Sequence, residues 1–283
     1  MAELRSEFEE NGFLVLPEVL SGAECEEFAG VLDQLDASAE FNTEQRPRKP
    51  GDALELRNCV ARSDAFMELV DKPEVLEIVA SLMGYNIQLG NSHGFIRPGR
   101  QQDDPRFGAL NIGWHWDLPA VGVPINGRYP RFAVRVGYCF TDLQQPNEGS
   151  IYVVPGSHRS AGRPAWDRAN DAPYGSHEVL VPAGAAIVFD NRIWHATAPN
   201  FSDRARKNLY LEYAPRWMRP FDYYFHADEV YERSSPVRKQ LLGYDFSNIE
   251  EGGLGYQQGE DEIDMPLRAW LEERGITDVA RDR

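Results

Sequence analysis

His115 and Asp117 stand two residues apart in Gly113-Trp114-His115-Trp116-Asp117, and His195 follows far downstream in Ile193-Trp194-His195. On an extended segment, side chains at i and i+2 project from the same side, so this imidazole and this carboxylate can reach one point. A second imidazole arriving from a distant strand would complete two nitrogens and one oxygen on one face of a divalent cation. That set leaves three coordination positions open, the arrangement used in non-haem Fe(II) oxygenase chemistry. A His-x-Asp triplet alone is a weak signal, and a solitary histidine is more often an ordinary core or surface residue. The weight therefore rests on what surrounds the three residues.

The first pair lies in Gly113-Trp114-His115-Trp116-Asp117-Leu118-Pro119. The last histidine closes an apolar run that begins at Pro182-Ala183-Gly184 and ends in Asp190-Asn191-Arg192-Ile193-Trp194-His195. Ala196-Thr197-Ala198-Pro199-Asn200 comes next, then Arg204 and Arg206. Between these stretches lie Asn147-Glu148-Gly149-Ser150 and Pro155-Gly156-Ser157-His158. In this order and spacing they closely resemble the phytanoyl-CoA dioxygenase family of Fe(II)/2-oxoglutarate-dependent oxygenases, over roughly residues 8–217.

The resemblance implies a mainly β chain with flanking helices, built on a double-stranded β-helix, the jelly-roll or cupin-like fold. It implies Fe(II) held by His115, Asp117 and His195, 2-oxoglutarate as cosubstrate and O2 as oxidant. Arg206, eleven residues after His195, stands where the family binds the distal carboxylate of 2-oxoglutarate. A guanidinium suits that task because its planar fork pairs with a carboxylate. Arg204 is the alternative; on a strand in register, Arg206 would point inward and Arg204 outward. Thr197 resembles the hydroxyl position that adds a second hydrogen bond to the same carboxylate. Asn91 and His93, on one face of the strand before His115, are candidates for the 1-carboxylate end. Trp116 departs from the glutamine that many relatives carry there. Asp117 fills a position that related halogenases give to a small residue, which argues for oxygen transfer over chlorination. His158 is expected to be structural, with at most an outer contact to the ligands, and His177 and His226 to lie on the surface.

The composition is compatible with this reading. A chain of 283 residues, 42% apolar and 11% aromatic, can bury a large core. Its formal charge of −16 disfavours nucleic acid and anionic membrane surfaces, both of which call for clustered Lys and Arg. Cys25, Cys59 and Cys139 are odd in number and widely spaced, so reduced thiols and a cytoplasmic location are expected. The start of the chain has no apolar stretch of signal-peptide length, and no segment has the ~18 apolar residues of a membrane span. The expected partner is a small-molecule substrate.

The elements that must position these residues can be read from periodicity. Gly12 to Leu16 predicts a short buried strand stopped by Pro17. Ser21-Gly22-Ala23-Glu24 predicts a capping box, with Cys25, Phe28, Val31, Leu32 and Leu35 at helical spacing behind it. A second helix is predicted from Pro73 to Gly84. Strands are predicted at 85–97, 131–141, 150–154, 178–181, 185–189 and 207–217, interrupted by insertions at 98–111, 118–130 and 159–177. Helices are expected near 227–242 and 264–274, the latter capped by Asp264, with a glycine-rich linker at 250–255. One domain over 1–283 is expected, with N-terminal helices at about 20–84, the jelly-roll core at about 85–217 and a helical extension at about 225–283. The functional expectation is hydroxylation of an unactivated C–H bond in a small organic molecule, as a secondary-metabolite tailoring step. The alternatives are desaturation, epoxidation or ring formation by the same iron chemistry, and a non-catalytic jelly-roll binding protein. Arg97, Arg100, Arg128 and Arg131 near the insertions could bind an anionic group or be solvated loop charges.

Overall fold

The computed structural model describes residues 1–37, 52–100, 113–117, 124–244, 246 and 265–276. In chain order the helices are α1 (Ala2–Asn11), α2 (Gly22–Ala37), α3 (Asp64–Met67), α4 (Pro73–Met83), α5 (Asp228–Glu232), α6 (Pro236–Leu241) and α7 (Pro266–Glu273). The strands are β1 (Phe13–Leu16), β2 (Leu54–Leu56), β3 (Ile87–Arg97), β4 (Val134–Cys139), β5 (Ile151–Val153), β6 (Trp166–Asp167), β7 (Ala172–Pro173), β8 (His177–Val179), β9 (Ala186–Asp190), β10 (His195–Thr197) and β11 (Arg206–Pro215).

A six-stranded antiparallel sheet of order β1-β9-β4-β11-β3-β2 faces a three-stranded sheet of order β10-β5-β8, while β6 and β7 pair as a small ribbon. This is the jelly-roll arrangement without a closed barrel. Side chains alternate across each strand, so the large sheet has two different faces. Leu14, Val188, Val136, Tyr138, Leu209, Leu211 and Tyr213 point to one side and join one buried cluster with Phe28 and Leu32 of α2 and Val75, Leu76 and Val79 of α4. Tyr138 and Tyr213 donate their hydroxyls to the carbonyls of Leu69 and Val70, so their polar ends are satisfied inside that core. The other face packs Cys139, Ile187 and Phe189 against Ile151, Val153 and Val179 of the small sheet. The same face also carries Asn91, His93, Arg135, Arg206 and Glu212, and these polar positions line the site.

The capping box closes α2 as expected: the Glu24 carboxylate accepts from the Ser21 backbone at 2.7 Å, and Glu24 N donates to Ser21 Oγ at 3.3 Å. Pro73 opens α4 and Gly84 ends it. The expected strand over 131–141 starts only at Val134. Phe132 N and Ala133 N donate to the Asn191 side chain, at 3.3 and 3.2 Å, in place of a sheet ladder. The helix expected near 227–242 is two short ones, because Pro236 begins a new first turn capped by Ser235. α1 was not anticipated; of its residues only Phe8 is buried, too little to give a periodic stripe. Asp264, the 250–255 linker, residues 101–111 of the first insertion and 118–123 of the second lie outside the described residues. The C-terminal helices pack on the same core. Gln240 Nε2 donates to Tyr85 O at 2.7 Å, Leu267 N donates to Gln240 Oε1 at 2.9 Å, and Leu267 and Leu271 join the α2–α4 cluster. Among the described residues no helix is long and apolar enough to cross a membrane.

Candidate metal centre

The small sheet is extended by the segment that carries the first pair. His115 N donates to His195 O at 2.9 Å and His195 N to His115 O at 2.8 Å, so the two histidines are directly opposed. Their rings lie 4.4 Å apart. Asp117 N donates to Asn191 O at 2.9 Å, which fixes the carboxylate two residues along the same segment. One ligand atom from each of His115, Asp117 and His195 lies within 4.8 Å of the others. His115 Nε2 is 3.7 Å from Asp117 Oδ1, and His195 Nε2 is 3.7 Å from Asp117 Oδ2.

The hydrogen bonds decide which ring nitrogen is free. His115 Nδ1 lies 2.8 Å from Gly113 O, and His195 Nδ1 lies 2.9 Å from Ile193 O. A carbonyl only accepts, so each Nδ1 carries the proton and each Nε2 turns a lone pair inward. Burial holds the His195 imidazole down to about 4 against the pull of Asp117, so it is neutral near pH 7. Asp117 Oδ2 is buried with no hydrogen-bond partner. Two imidazole lone pairs and an unsatisfied carboxylate oxygen converging on one point fit a divalent first-row cation. The His115 side chain is 54% exposed, so the point is reachable from outside.

The lead-in to His195 is stiffly held. Asp190, fully buried, takes Arg131 Nε at 2.7 Å and Arg192 Nη2 at 2.6 Å, and these guanidinium contacts keep its carboxyl below the usual range in spite of burial. Arg131 is thereby a structural ion-pair residue, bonded also to Glu9 at 2.9 Å, and has no spare charge for a ligand. Ser157 Oγ accepts from Trp194 N at 2.9 Å, and His158 packs behind that turn with its Nε2 3.2 Å from Glu9 O. His177 is exposed, as expected. His226 is a correction: it is only 4% exposed, its ring lying 4.3 Å from that of Tyr223. The run around it carries aromatics on both sides, and ring packing buries it.

Of the two candidate arginines, Arg206 is 3% exposed and Arg204 pairs outward with Glu148 at 2.9 Å. Arg206 Nη2 donates to Tyr210 OH at 2.9 Å, and its Nε is buried without a partner. Tyr210 packs edge-on to Phe189, whose ring is 5.2 Å from that of His195, so Arg206 is linked to the metal point through packed rings. Arg97 is the register partner of Arg206 across β3 and β11. Among the described residues neither has a carboxylate partner. Burial and the neighbouring Arg206 charge bring Arg97 down to about 10. Two adjacent guanidiniums without a counter-charge among the described residues make this end of the cleft suited to an anion. Thr197 ends β10 on the same side as His195, paired with Ile151.

Asn91 and His93 share the inner face of β3, as expected, opposite Glu212 and Tyr210. His93 is engaged sideways: its Nε2 is 3.6 Å from Asp222 Oδ2, and burial, with the Arg135 charge, pulls it down to about 3. Sequence reasoning missed Arg135 and Glu212. Arg135 Nε lies 2.8 Å from Glu212 Oε2 and 3.0 Å from Asp117 Oδ2. Burial works against the Arg135 charge, yet the Asp117 and Glu212 carboxylates hold the guanidinium protonated. In the sequence they are single charges flanked by apolar residues, Arg135 between Val134 and Val136 and Glu212 between Leu211 and Tyr213, and only the strand pairing brings them together.

Comparisons with known proteins bear on family and fold. The phytanoyl-CoA dioxygenase (PhyH) family model matches residues 8–208. The chain is 28% identical over 269 residues to dioxygenase af480 of Aspergillus fumigatus, covering 90% of this chain and 81% of that one. Among solved structures, HygX from Streptomyces hygroscopicus, with nickel and 2-oxoglutarate bound, aligns with a TM-score of 0.60 at 20% identity over 78% of this chain and 89% of HygX. The 2-oxoglutarate-dependent epimerase SnoN from nogalamycin biosynthesis aligns with a TM-score of 0.57 at 17% identity, over 76% of this chain and 83% of SnoN. These structural likenesses show the fold.

Proposed function

The chain belongs to the phytanoyl-CoA dioxygenase family, and from that premise we propose that it is an Fe(II)- and 2-oxoglutarate-dependent dioxygenase that hydroxylates an unactivated C–H bond of a small organic molecule, in secondary-metabolite tailoring. The observation that carries the reading is the convergence of His115, Asp117 and His195 with both Nε2 lone pairs turned inward. Bound there, Fe(II) supplies the oxidising chemistry, coupling decarboxylation of 2-oxoglutarate by O2 to oxygen insertion into the substrate.

The protein's own part is positional. His115, Asp117 and His195 hold the metal on one side and leave the other side for cosubstrate and oxidant. Arg206 takes the distal carboxylate of 2-oxoglutarate, braced by Tyr210 and assisted by the Thr197 hydroxyl. Asn91 and His93 line the wall near the 1-carboxylate end. Asp117 occupies a coordination position that a halide would need, so oxygen chemistry is favoured over chlorination. The whole chain, including the C-terminal helices, is taken as one catalytic unit.

The test is anaerobic titration of the protein with Fe(II) and 2-oxoglutarate, watching for the visible charge-transfer band of the chelate, followed by a substrate screen for succinate release. A protein that forms no band would be the jelly-roll binding protein of the non-catalytic alternative. A second outcome of the same chemistry is favoured by the likeness to SnoN, an epimerase, which shows that this fold supports reactions other than hydroxylation. Product mass and NMR together separate the readings. A gain of one oxygen supports hydroxylation or epoxidation, which NMR of the oxygenated carbon tells apart; a loss of two hydrogens supports desaturation or ring formation; an unchanged mass with an inverted centre supports epimerisation.

A further inference from the structure

Arg135 and Glu212 face one another in the β4–β11 register and point into the cleft beside Asp117. Glu212 is fully buried, and burial raises its carboxyl while the Arg135 charge offsets that rise. Arg135 Nε has a single N–H. It lies within reach of both carboxylates, 2.8 Å from Glu212 Oε2 and 3.0 Å from Asp117 Oδ2, but the hydrogen bond is made to Glu212. Asp117 Oδ2 is left buried with no hydrogen bond. The fold also makes room for the extra acid. The β3–β11 register shifts between Glu212 and Tyr213, leaving Gly90 unpaired, and a Cβ at Gly90 would lie 2.7 Å from Glu212 Oε1.

We propose that Glu212 is a positioning residue for the metal centre: it takes the Arg135 Nε hydrogen bond, and so leaves Asp117 Oδ2, in a 3.0 Å ion contact with Arg135 but not hydrogen-bonded, open to a divalent cation. The argument rests on the metal reading above. Charge points the same way. Counted formally, two carboxylates and one guanidinium give the cluster one net negative charge. Without Glu212, the Arg135 guanidinium, already 3.0 Å from Asp117, would have Asp117 as its one carboxylate here, and a cation would compete with a tighter buried ion pair. Arg135 is needed in turn, because two buried carboxylates side by side repel each other without it.

The test measures Co(II) affinity from its visible absorption, without 2-oxoglutarate or O2, so that no activity enters the readout. Glu212→Gln should weaken binding by about tenfold or more, the usual size of a lost partner to a metal ligand. Adding Arg135→Met restores the net charge of the cluster and removes the competitor for Asp117, so the double variant should bind within a few-fold of the unchanged protein. Glu212→Asp, which keeps the charge, should stay within a few-fold as well. A merely structural role for Glu212 predicts that each added substitution worsens binding. Unchanged affinity in Glu212→Gln, or a double variant weaker than Glu212→Gln, overturns the proposal. Where Glu212→Gln no longer melts cooperatively, the double variant decides, and a loss beyond tenfold in it counts against the idea. Failure of the metal reading itself looks different: the unchanged protein would not bind Co(II), or His195→Ala would bind it equally well.

Discussion

At the residue scale the proposed site divides into groups placed to bind a metal and groups proposed to hold the cosubstrate, and substitutions should separate them. His195→Ala removes one of three ligands, so Fe(II) or Co(II) binding and turnover should be lost while the metal-free protein still melts cooperatively. Calorimetric metal titration beside a melting curve checks this. Arg206→Ala should spare metal binding and raise the 2-oxoglutarate requirement. Losing a charge-assisted contact to a buried carboxylate costs roughly 2–5 kcal/mol, which is about thirtyfold or more in apparent affinity. Arg204→Ala should have little effect, because Arg204 pairs with Glu148 away from the cleft. Steady-state kinetics against 2-oxoglutarate would expose a reversed order, and that result would move the anion site by one inner position. Mass spectrometry of the product formed in high chloride checks the role given to Asp117: no chlorine isotope pattern is expected. His115, Asp117 and His195 were legible in the sequence because ligand spacing is local and comes with long flanking motifs. Arg135 and Glu212 were not, since their significance depends on which strands become neighbours.

At the element scale the cleft is shaped by where strands approach too closely for side chains. Gly137 of β4 is the register partner of Tyr210 on β11, and a Cβ there would run into the Tyr210 ring. Tyr210 in turn braces Arg206 through its hydroxyl. Gly137→Ala should therefore destabilise the protein by about 1–3 kcal/mol, as overpacking does, and weaken 2-oxoglutarate binding while metal-only binding is kept. Paired titrations with Co(II) alone and with Co(II) plus 2-oxoglutarate test this; equal loss in both would place the strain at the metal instead. The central strands were readable because 85–97, 185–189 and 207–217 are rich in β-branched or aromatic residues and bounded by Gly, Pro, Asn and Asp. Their ends were less so: Asn191 diverts the backbone at Phe132 and Ala133, and a long-range side-chain contact of that kind leaves no periodic trace.

At the scale of the whole molecule, buried neutral histidines link the fold to pH. Burial holds His195 and His226 to about 4 and His93 to about 3, whereas an unfolded chain titrates its imidazoles near about 6.5. Between those values the unfolded state binds more protons than the folded one, so stability falls as pH drops from about 6.5 towards 4. Glu178, Glu212 and Asp222, raised by burial, act in the opposite sense, so the net slope alone is ambiguous. His226 resolves it, because its ring is buried away from the metal ligands with neither nitrogen hydrogen-bonded. One imidazole with these two pKa values contributes roughly 2 kcal/mol of stability at pH 7 that is lost by pH 5. His226→Phe keeps a ring against Tyr223 and has nothing to protonate. Chemical denaturation of the metal-free protein at pH 7 and pH 5 should show the variant losing roughly 2 kcal/mol less than the unchanged protein over that interval. Equal losses would mean that His226 becomes protonated without unfolding, through water reaching the Tyr223 face. Co(II) should make the remaining pH dependence steeper, because binding at His195 Nε2 stabilises the folded state at pH 7 and protons compete for the same lone pair as the pH falls.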